Sequence, residues 1–233
     1  MTIVYRISDS GYKKSKPEYI NNINCLRNAA SVFQYENWHI VADNVKNEDT
    51  LSCIRNLDTY LNHPVIHNVS LGSGAQTFNY ALDIALSLPE DELIYFVEND
   101  YLHIPGSDLL IEEGLDLGAD YLAGYDHPDK YLSLEQGGNP EVEGGGELTR
   151  VLLSKSTHWK ITNSTTMTFA TRVKTLKEDE QILREYTKGT YPEDYRMFLA
   201  LRAKGRVLIS SIPGFSTHGE NQWLSPLIDW SKI

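Results

Sequence analysis

The strongest constraint in this sequence is an alternation. Over the first two-thirds, short apolar runs rich in β-branched and aromatic residues take turns with segments whose apolar positions repeat every three or four residues. A chain of this pattern buries both kinds of surface by laying helices over a mostly parallel sheet, because parallel neighbours need a crossover between them. Ile3 to Ile7 reads as the first strand. Pro17 suits a helix start, and Ile23, Leu26, Ala30 and Phe33 then mark one helix face. Trp38 to Ala42 is the second strand, running into Asp43 and Asn44, with Thr50 to Leu61 as the next helix. Val65 to Val69 is a third strand. The turn Leu71-Gly72-Ser73-Gly74 leads into a helix with Phe78, Ala81, Leu82 and Ala85 on one face. Leu93-Ile94-Tyr95-Phe96-Val97 is almost continuously apolar, which suits a central strand covered on both faces.

Beyond Tyr121-Leu122-Ala123-Gly124 the pattern changes. Gly137 to Gly146 is rich in glycine and glutamate, and the β-like runs Leu148 to Leu153 and Met167 to Ala170 follow. This stretch reads as a small, β-rich and partly mobile insertion. Thr175 to Tyr186 and Glu193 to Ala203 are expected helices, Lys204-Gly205 a stop, and Val207 to Ser210 a late strand. One α/β domain over 1–233 accommodates all of this.

The net charge of -11 argues against a nucleic-acid partner, which calls for a basic patch to replace released counterions. A single nucleotide remains within reach, because a divalent cation or a helix N-terminus can meet its phosphates locally. Cys25 and Cys53 lie in apolar helical patterns and read as reduced, buried thiols. No stretch reaches the ~20 apolar residues of a membrane span, so a cytoplasmic location is expected.

Three short motifs carry chemistry. Glu98-Asn99-Asp100 follows the most buried strand, at the carboxyl end where open α/β sheets gather ligands. Glu193-Asp194, after Pro192, opens a helix and offers a candidate general base. His218 stands in Phe215-Ser216-Thr217-His218-Gly219, after the late strand. Each has an ordinary alternative: a solvated corner, acids that favour a helix dipole, a hydrogen-bonded histidine.

Their order is more specific than any one of them. Tyr5-Arg6-Ile7-Ser8-Asp9, Val41-Ala42-Asp43, Gly72 to Asn79, Glu98-Asn99-Asp100, Pro192-Glu193-Asp194 and His218 together resemble the GT-A glycosyltransferases, in their compact, family-2-like form. The resemblance implies a Rossmann-like fold with a nucleotide-binding part over about 1–103 and an acceptor-binding part over about 104–233. It implies a nucleoside-diphosphate sugar donor, UDP-linked, and a carbohydrate or other hydroxyl acceptor. Asp100 and His218 would hold Mn²⁺ or Mg²⁺, and Asp194, with Glu193 second, would be the base of an inverting transfer. Tyr5, Arg6, Asp9, Asp43, Gly74, Asn79, Glu98 and Asn99 fall at donor-binding positions. Glu98 departs from the family's usual Asp by one methylene, which alters its reach to ribose or metal. Lys13, Lys14 and Lys16 are candidates for the pyrophosphate or else a solvated basic loop, and the stretches Gly137 to Trp159 and Trp223 to Trp230 are candidates for the acceptor, although Trp159, Trp223 and Trp230 serve equally well as packing residues. Two other readings keep the fold: a nucleotidyltransferase, and a silent sugar-nucleotide or carbohydrate-binding module.

Overall fold

The computed structural model describes residues 1–9, 15–142 and 144–233. Among them, a nine-stranded sheet runs in the order β3-β2-β1-β4-β9-β6-β10-β8-β7. Its strands are β1 (Thr2–Ser8), β2 (Asn37–Asp43), β3 (Val65–Val69), β4 (Leu93–Glu98), β6 (Tyr121–Ala123), β7 (Val151–Leu153), β8 (His158–Ile161), β9 (Phe169–Arg172) and β10 (Leu208–Ile212). Pairings β3·β2, β2·β1, β1·β4 and β6·β10 are parallel, and only β8 and β9 run against the common direction. A two-stranded ribbon of β5 (Tyr101–His103) and β11 (Ser216–His218) stands apart.

The helices are α1 (Asn22–Val32), α2 (Glu48–Arg55), α3 (Gly74–Leu86), α4 (Ser107–Asp116), α5 (Val173–Glu185) and α6 (Asp194–Ala203). Strand alternation divides the core between the two faces of the sheet. On β1, Ile3, Tyr5 and Ile7 join Leu26, Phe33, Cys53 and Ile111 under α1, α2 and α4. Val4 instead joins Phe78, Leu82, Leu176 and Phe198 under α3, α5 and α6. Each such fully buried side chain contributes about 1.5–3 kcal/mol. No helix among the described residues is long and apolar enough to cross a membrane.

The expected element order holds for the first four strands and the helices between them, with shifted starts. The first helix begins after Asn21, whose side chain accepts from the Asn24 amide, rather than at Pro17, whose carbonyl closes a turn with the Ile20 amide. Asn47 caps α2 in the same way. The expected β-rich insertion joins the main sheet: β9 lies between β4 and β6, with Phe169, Ala170 and Thr171 fully buried. Within the Gly137 to Gly146 approach, Asn139 joins a buried hydrogen-bond network. Lys130, almost fully buried, donates to Asn163 Oδ1 at 2.5 Å and Ser164 Oγ at 2.8 Å, and Asn163 donates to Asn139 at 2.9 Å. Lys160 meets Asp126 at 2.9 Å and Glu147 at 3.1 Å.

A buried acid fastens the opposite end of the sheet. Asp179 on α5 accepts from Tyr121 Oη at 2.8 Å, Lys204 Nζ at 2.6 Å and Arg206 Nε at 2.8 Å. Removing it takes the acceptor from the buried Tyr121 hydroxyl and a carboxylate from Lys204 and Arg206, which keep Glu178 and, for Arg206, Asp120, so Asp179→Ala should lower stability by about 3 kcal/mol, read as a fall in urea midpoint at constant slope.

His103 gives stability a pH dependence. It is fully buried, with Nε2 2.9 Å from Tyr95 Oη and Nδ1 without a hydrogen-bond partner among the described residues. Burial pushes its imidazole down to about 3. In the unfolded chain the ring takes a proton near pH 6.5, whereas the folded chain refuses it until about 3. This contribution is therefore whole above pH 6.5 and lost progressively as pH falls toward 3. The acid-side decline in urea midpoint should be shallower in His103→Gln than in the parent chain.

Candidate functional site

The candidate site forms where β4 ends and the chain doubles back. After Glu98, residues Asn99 and Asp100 turn the chain into β5, which pairs antiparallel with β11 so that Tyr101 lies opposite His218. This register brings together two residues far apart in sequence: His218 Nε2 is 3.3 Å from Asp100 Oδ2. Lys16 Nζ approaches the same oxygen at 2.9 Å. Burial raises the Asp100 carboxyl, but His218 and then Lys16 outweigh it and hold the group well below the usual carboxylate range. Gly219 keeps the approach tight, since a Cβ there would meet Ile20 Cγ2 at 2.3 Å and the Asp100 carbonyl oxygen at 2.8 Å.

Glu98 points to the other face of its strand. Its Oε1 is 3.3 Å from Nη2 of Arg6, a guanidinium almost fully buried beside the Phe78 ring. Arg6 also donates to the carbonyls of Gly74 at 3.3 Å and Met167 at 3.2 Å, tying β4, α3 and the approach to β9 together. Asn99 donates to the Ser8 carbonyl at 3.2 Å and to Asn22 Oδ1 at 2.5 Å, fixing the β4 corner to the end of β1.

An open cleft of about 550 Å³ adjoins this corner, lined by Asp9, Lys16, Asn22, Asn47, Thr50 and Asn99 among others. Asp9 Oδ2 accepts from the backbone amides of Lys46 at 2.5 Å and Asn47 at 2.7 Å. Three of the expected donor-binding residues are committed within the fold. Tyr5 is fully buried in the core, its ring 6.0 Å from Trp38. Asp43 accepts from the amides of Leu71 at 2.6 Å and Gly72 at 2.9 Å, and from Thr77 Oγ1 at 3.1 Å. Asn79 exchanges hydrogen bonds with Thr187, donating to its carbonyl and accepting from its hydroxyl, both at 3.0 Å. These partners are distant in sequence, and no local pattern announces them. Lys13 and Lys14 lie outside the described residues.

Glu193 and Asp194 open α6, as expected. Glu193 is exposed and pairs with Arg196 at 2.6 Å, while Asp194 is half-buried and accepts from the Tyr195 amide at 2.7 Å. The preceding loop reaches the start of α3: the Thr190 carbonyl accepts from Ser73 Oγ at 2.8 Å and from the Ala75 amide at 3.2 Å. The acids are thereby linked, through Gly74 and Arg6, to Glu98.

Aromatic residues continue the site away from His218. Tyr101 and Tyr125 flank its ring at 5.5 Å and 6.1 Å, His127 packs on Tyr125 at 4.8 Å, and Trp223 packs on His127 at 5.3 Å. His127 Nδ1 lies 3.0 Å from Asp129 Oδ1. Sequence reasoning passed over Tyr125, His127 and Asp129, although their position just past a short buried strand was the available signal. Of the three tryptophans read as acceptor or packing residues, Trp159 and Trp230 are buried packing residues, and Trp223 keeps partial exposure.

Among the described residues, no group of three or more His, Cys, Asp or Glu side chains is arranged to hold a metal ion. Asp100 and His218 offer two donors, one oxygen and one nitrogen. The Asp43 bonds predict that Asp43→Ala releases the loop before α3. Hydrogen exchange at the Leu71 and Gly72 amides should accelerate, and stability should fall by about 1–3 kcal/mol.

The sequence matches no protein-family model, and no curated protein matches it. Among solved structures, the chain is similar to GalNAc-T7 with UDP, GalNAc and Mn²⁺, at TM-score 0.61 and 11% identity, over 96% of this chain and 44% of that one. It is also similar to S. aureus TarS, at TM-score 0.51 and 16% identity, over 90% of this chain and 34% of that one. For S. aureus TarS 1-349 the values are 0.52 and 16%, over 91% and 57%. The chain thus spans between 34% and 57% of the length of these structures. What the likeness establishes is the fold: an α/β GT-A fold with a large, mostly parallel sheet flanked by helices.

Proposed function

We propose that this chain is a glycosyltransferase that moves a sugar from a nucleoside-diphosphate sugar, UDP-linked, to a hydroxyl acceptor, with inversion. The observation that carries the reading is the meeting of Asp100 and His218, 3.3 Å apart, at the carboxyl end of β4 beside an open cleft. The similarity to a GalNAc-T7 structure with UDP and Mn²⁺ supports it at the level of the fold.

The Asp100 carboxylate suits Mn²⁺ or Mg²⁺, and His218 would add a single nitrogen to hold it. Bound there, the cation would offset the charge that collects on the departing nucleoside diphosphate. With only two protein donors, its affinity should depend on the donor's phosphates. Lys16, 2.9 Å from Asp100, already marks this carboxylate as one that draws a cation, and its ammonium is free to turn to a phosphate once the carboxylate is otherwise neutralised. Arg6 holds Glu98 at 3.3 Å, so the extra methylene of Glu98 reaches the guanidinium and the residue positions the strand end. Asn99 and Asp9 shape the nucleotide side of the cleft. Past His218, Trp223 and His127 offer the apolar face and polar edge that a sugar acceptor needs. Asp194, at the first turn of α6, accepts the acceptor's proton as its oxygen attacks, and Glu193 stands beside it.

Nucleoside diphosphate release, measured across a panel of sugar nucleotides with Mn²⁺, Mg²⁺ or chelator, tests the proposal. Asp100→Asn should weaken Mn²⁺-dependent UDP binding by at least about tenfold. Asp194→Asn should keep UDP binding and lose about 100-fold or more in transfer. Pyrophosphate release from a nucleoside triphosphate would assign nucleotidyl transfer instead. Saturable UDP binding with no turnover under any donor, metal or acceptor would assign a silent module.

A further inference from the structure

His39 and His67 take no part in the cleft. His39 lies on β2 and His67 on β3, the edge strand, in a register that sets His39 beside Val65 and Val41 beside His67. Residues two apart along a strand share a face, so the two imidazoles sit diagonally on the side of the sheet that α3 covers. Their rings meet edge to edge, with centroids 5.3 Å apart and planes 22° from parallel, and His39 Nδ1 is 3.0 Å from His67 Nε2. The other nitrogen of His67, Nδ1, lies 3.3 Å from the hydroxyl of Tyr80 on α3.

That last contact matters for the chemistry. With Nδ1–H donating to Tyr80, Nε2 of His67 carries a lone pair directed at His39; metal-binding histidines share this arrangement, the second ring nitrogen being tied by a donor bond. Two bonds of ~2.0–2.1 Å meeting at between a right angle and a tetrahedral angle set their nitrogens about 2.9–3.4 Å apart. The observed 3.0 Å lies inside that span. Burial, and for His39 also the neighbouring His67, holds both rings below the ordinary histidine range, so both are neutral near pH 7, as ligands must be.

We propose that His39 and His67 form a two-histidine site for a nitrogen-preferring divalent transition metal, such as Zn²⁺, Ni²⁺ or Cu²⁺, which staples edge strand β3 to β2. The cation replaces the proton that the pair shares, and that proton passes to Nε2 of His39, leaving both rings neutral. Water completes the coordination, since no third His, Cys, Asp or Glu joins the pair among the described residues. Imidazole pairs discriminate against Mg²⁺ and Mn²⁺, which favour oxygen, so this site and Asp100–His218 select different ions.

Calorimetric titration of Zn²⁺ and Ni²⁺ into the Asp100→Asn chain isolates the pair from the cleft, so the outcome does not depend on the glycosyltransferase reading. One equivalent should bind and raise the melting temperature. His39→Gln and His67→Gln, each added to Asp100→Asn and checked for folding by circular dichroism, should weaken binding at least tenfold. Tyr80→Phe, which keeps both ligands, should weaken it by about tenfold. Nitrogen-15 imidazole shifts of His39 and His67 should move on Zn²⁺ addition. Absence of binding in the Asp100→Asn chain, binding that His39→Gln leaves intact, or shifts confined to other histidines would overturn the proposal and leave a pair that only shares a proton.

Discussion

The antiparallel ladder between β5 and β11, three residue pairs long, is the constraint on which the candidate site depends. Residues 100 and 218 lie in different parts of the sequence, and neither approaches the other through the main sheet. Pairing Tyr101 with His218 forces the meeting, because Asp100 precedes Tyr101 and can only turn toward the strand opposite. The flanking rings of Tyr101 and Tyr125 then confine the imidazole, and Gly219 lets the chain leave without pushing Asp100 away. Much of the fold serves this ribbon: Asn28 of α1 accepts from the His103 amide and donates to its carbonyl.

Charge is managed locally, as befits an acidic chain. Lys16 meets Asp100, Arg6 meets Glu98 and Arg196 meets Glu193. Asp194 accepts from the Tyr195 amide, within the first turn of its own helix. Arg6 is the most informative of these partners, because its guanidinium touches β4, α3 and the segment before β9 at once.

The sheet was legible in the sequence wherever burial is written as a period. Ile3, Tyr5 and Ile7 against Val4, and the unbroken run before Glu98, follow directly from which face each residue meets. The places of Glu98 at a strand end and of Glu193 and Asp194 at a helix start were legible for a related reason, whereas the strand β11 that carries His218, read as a loop, was not. Antiparallel β9 at the centre of the sheet was not, since its run is as short and apolar as that of an outlying hairpin. Nor were the duties of Asp43 and Asn79, whose partners at Leu71, Gly72, Thr77 and Thr187 are set by how loops close. The same holds for Trp159 and Trp230: an aromatic ring that packs and one that stacks on a sugar have the same letter.

The place of β9 has a consequence for how the molecule is divided. Phe169 to Arg172 fills the gap between β4, which precedes residue 103, and β6, which follows it. The sheet is therefore continuous across residue 103, with no seam there. Severed there, the first half would present the hydrogen-bonding edge of β4 to solvent, together with an unroofed strip of Phe96 and Ile94, and the second half would hold a strand whose principal partner had gone.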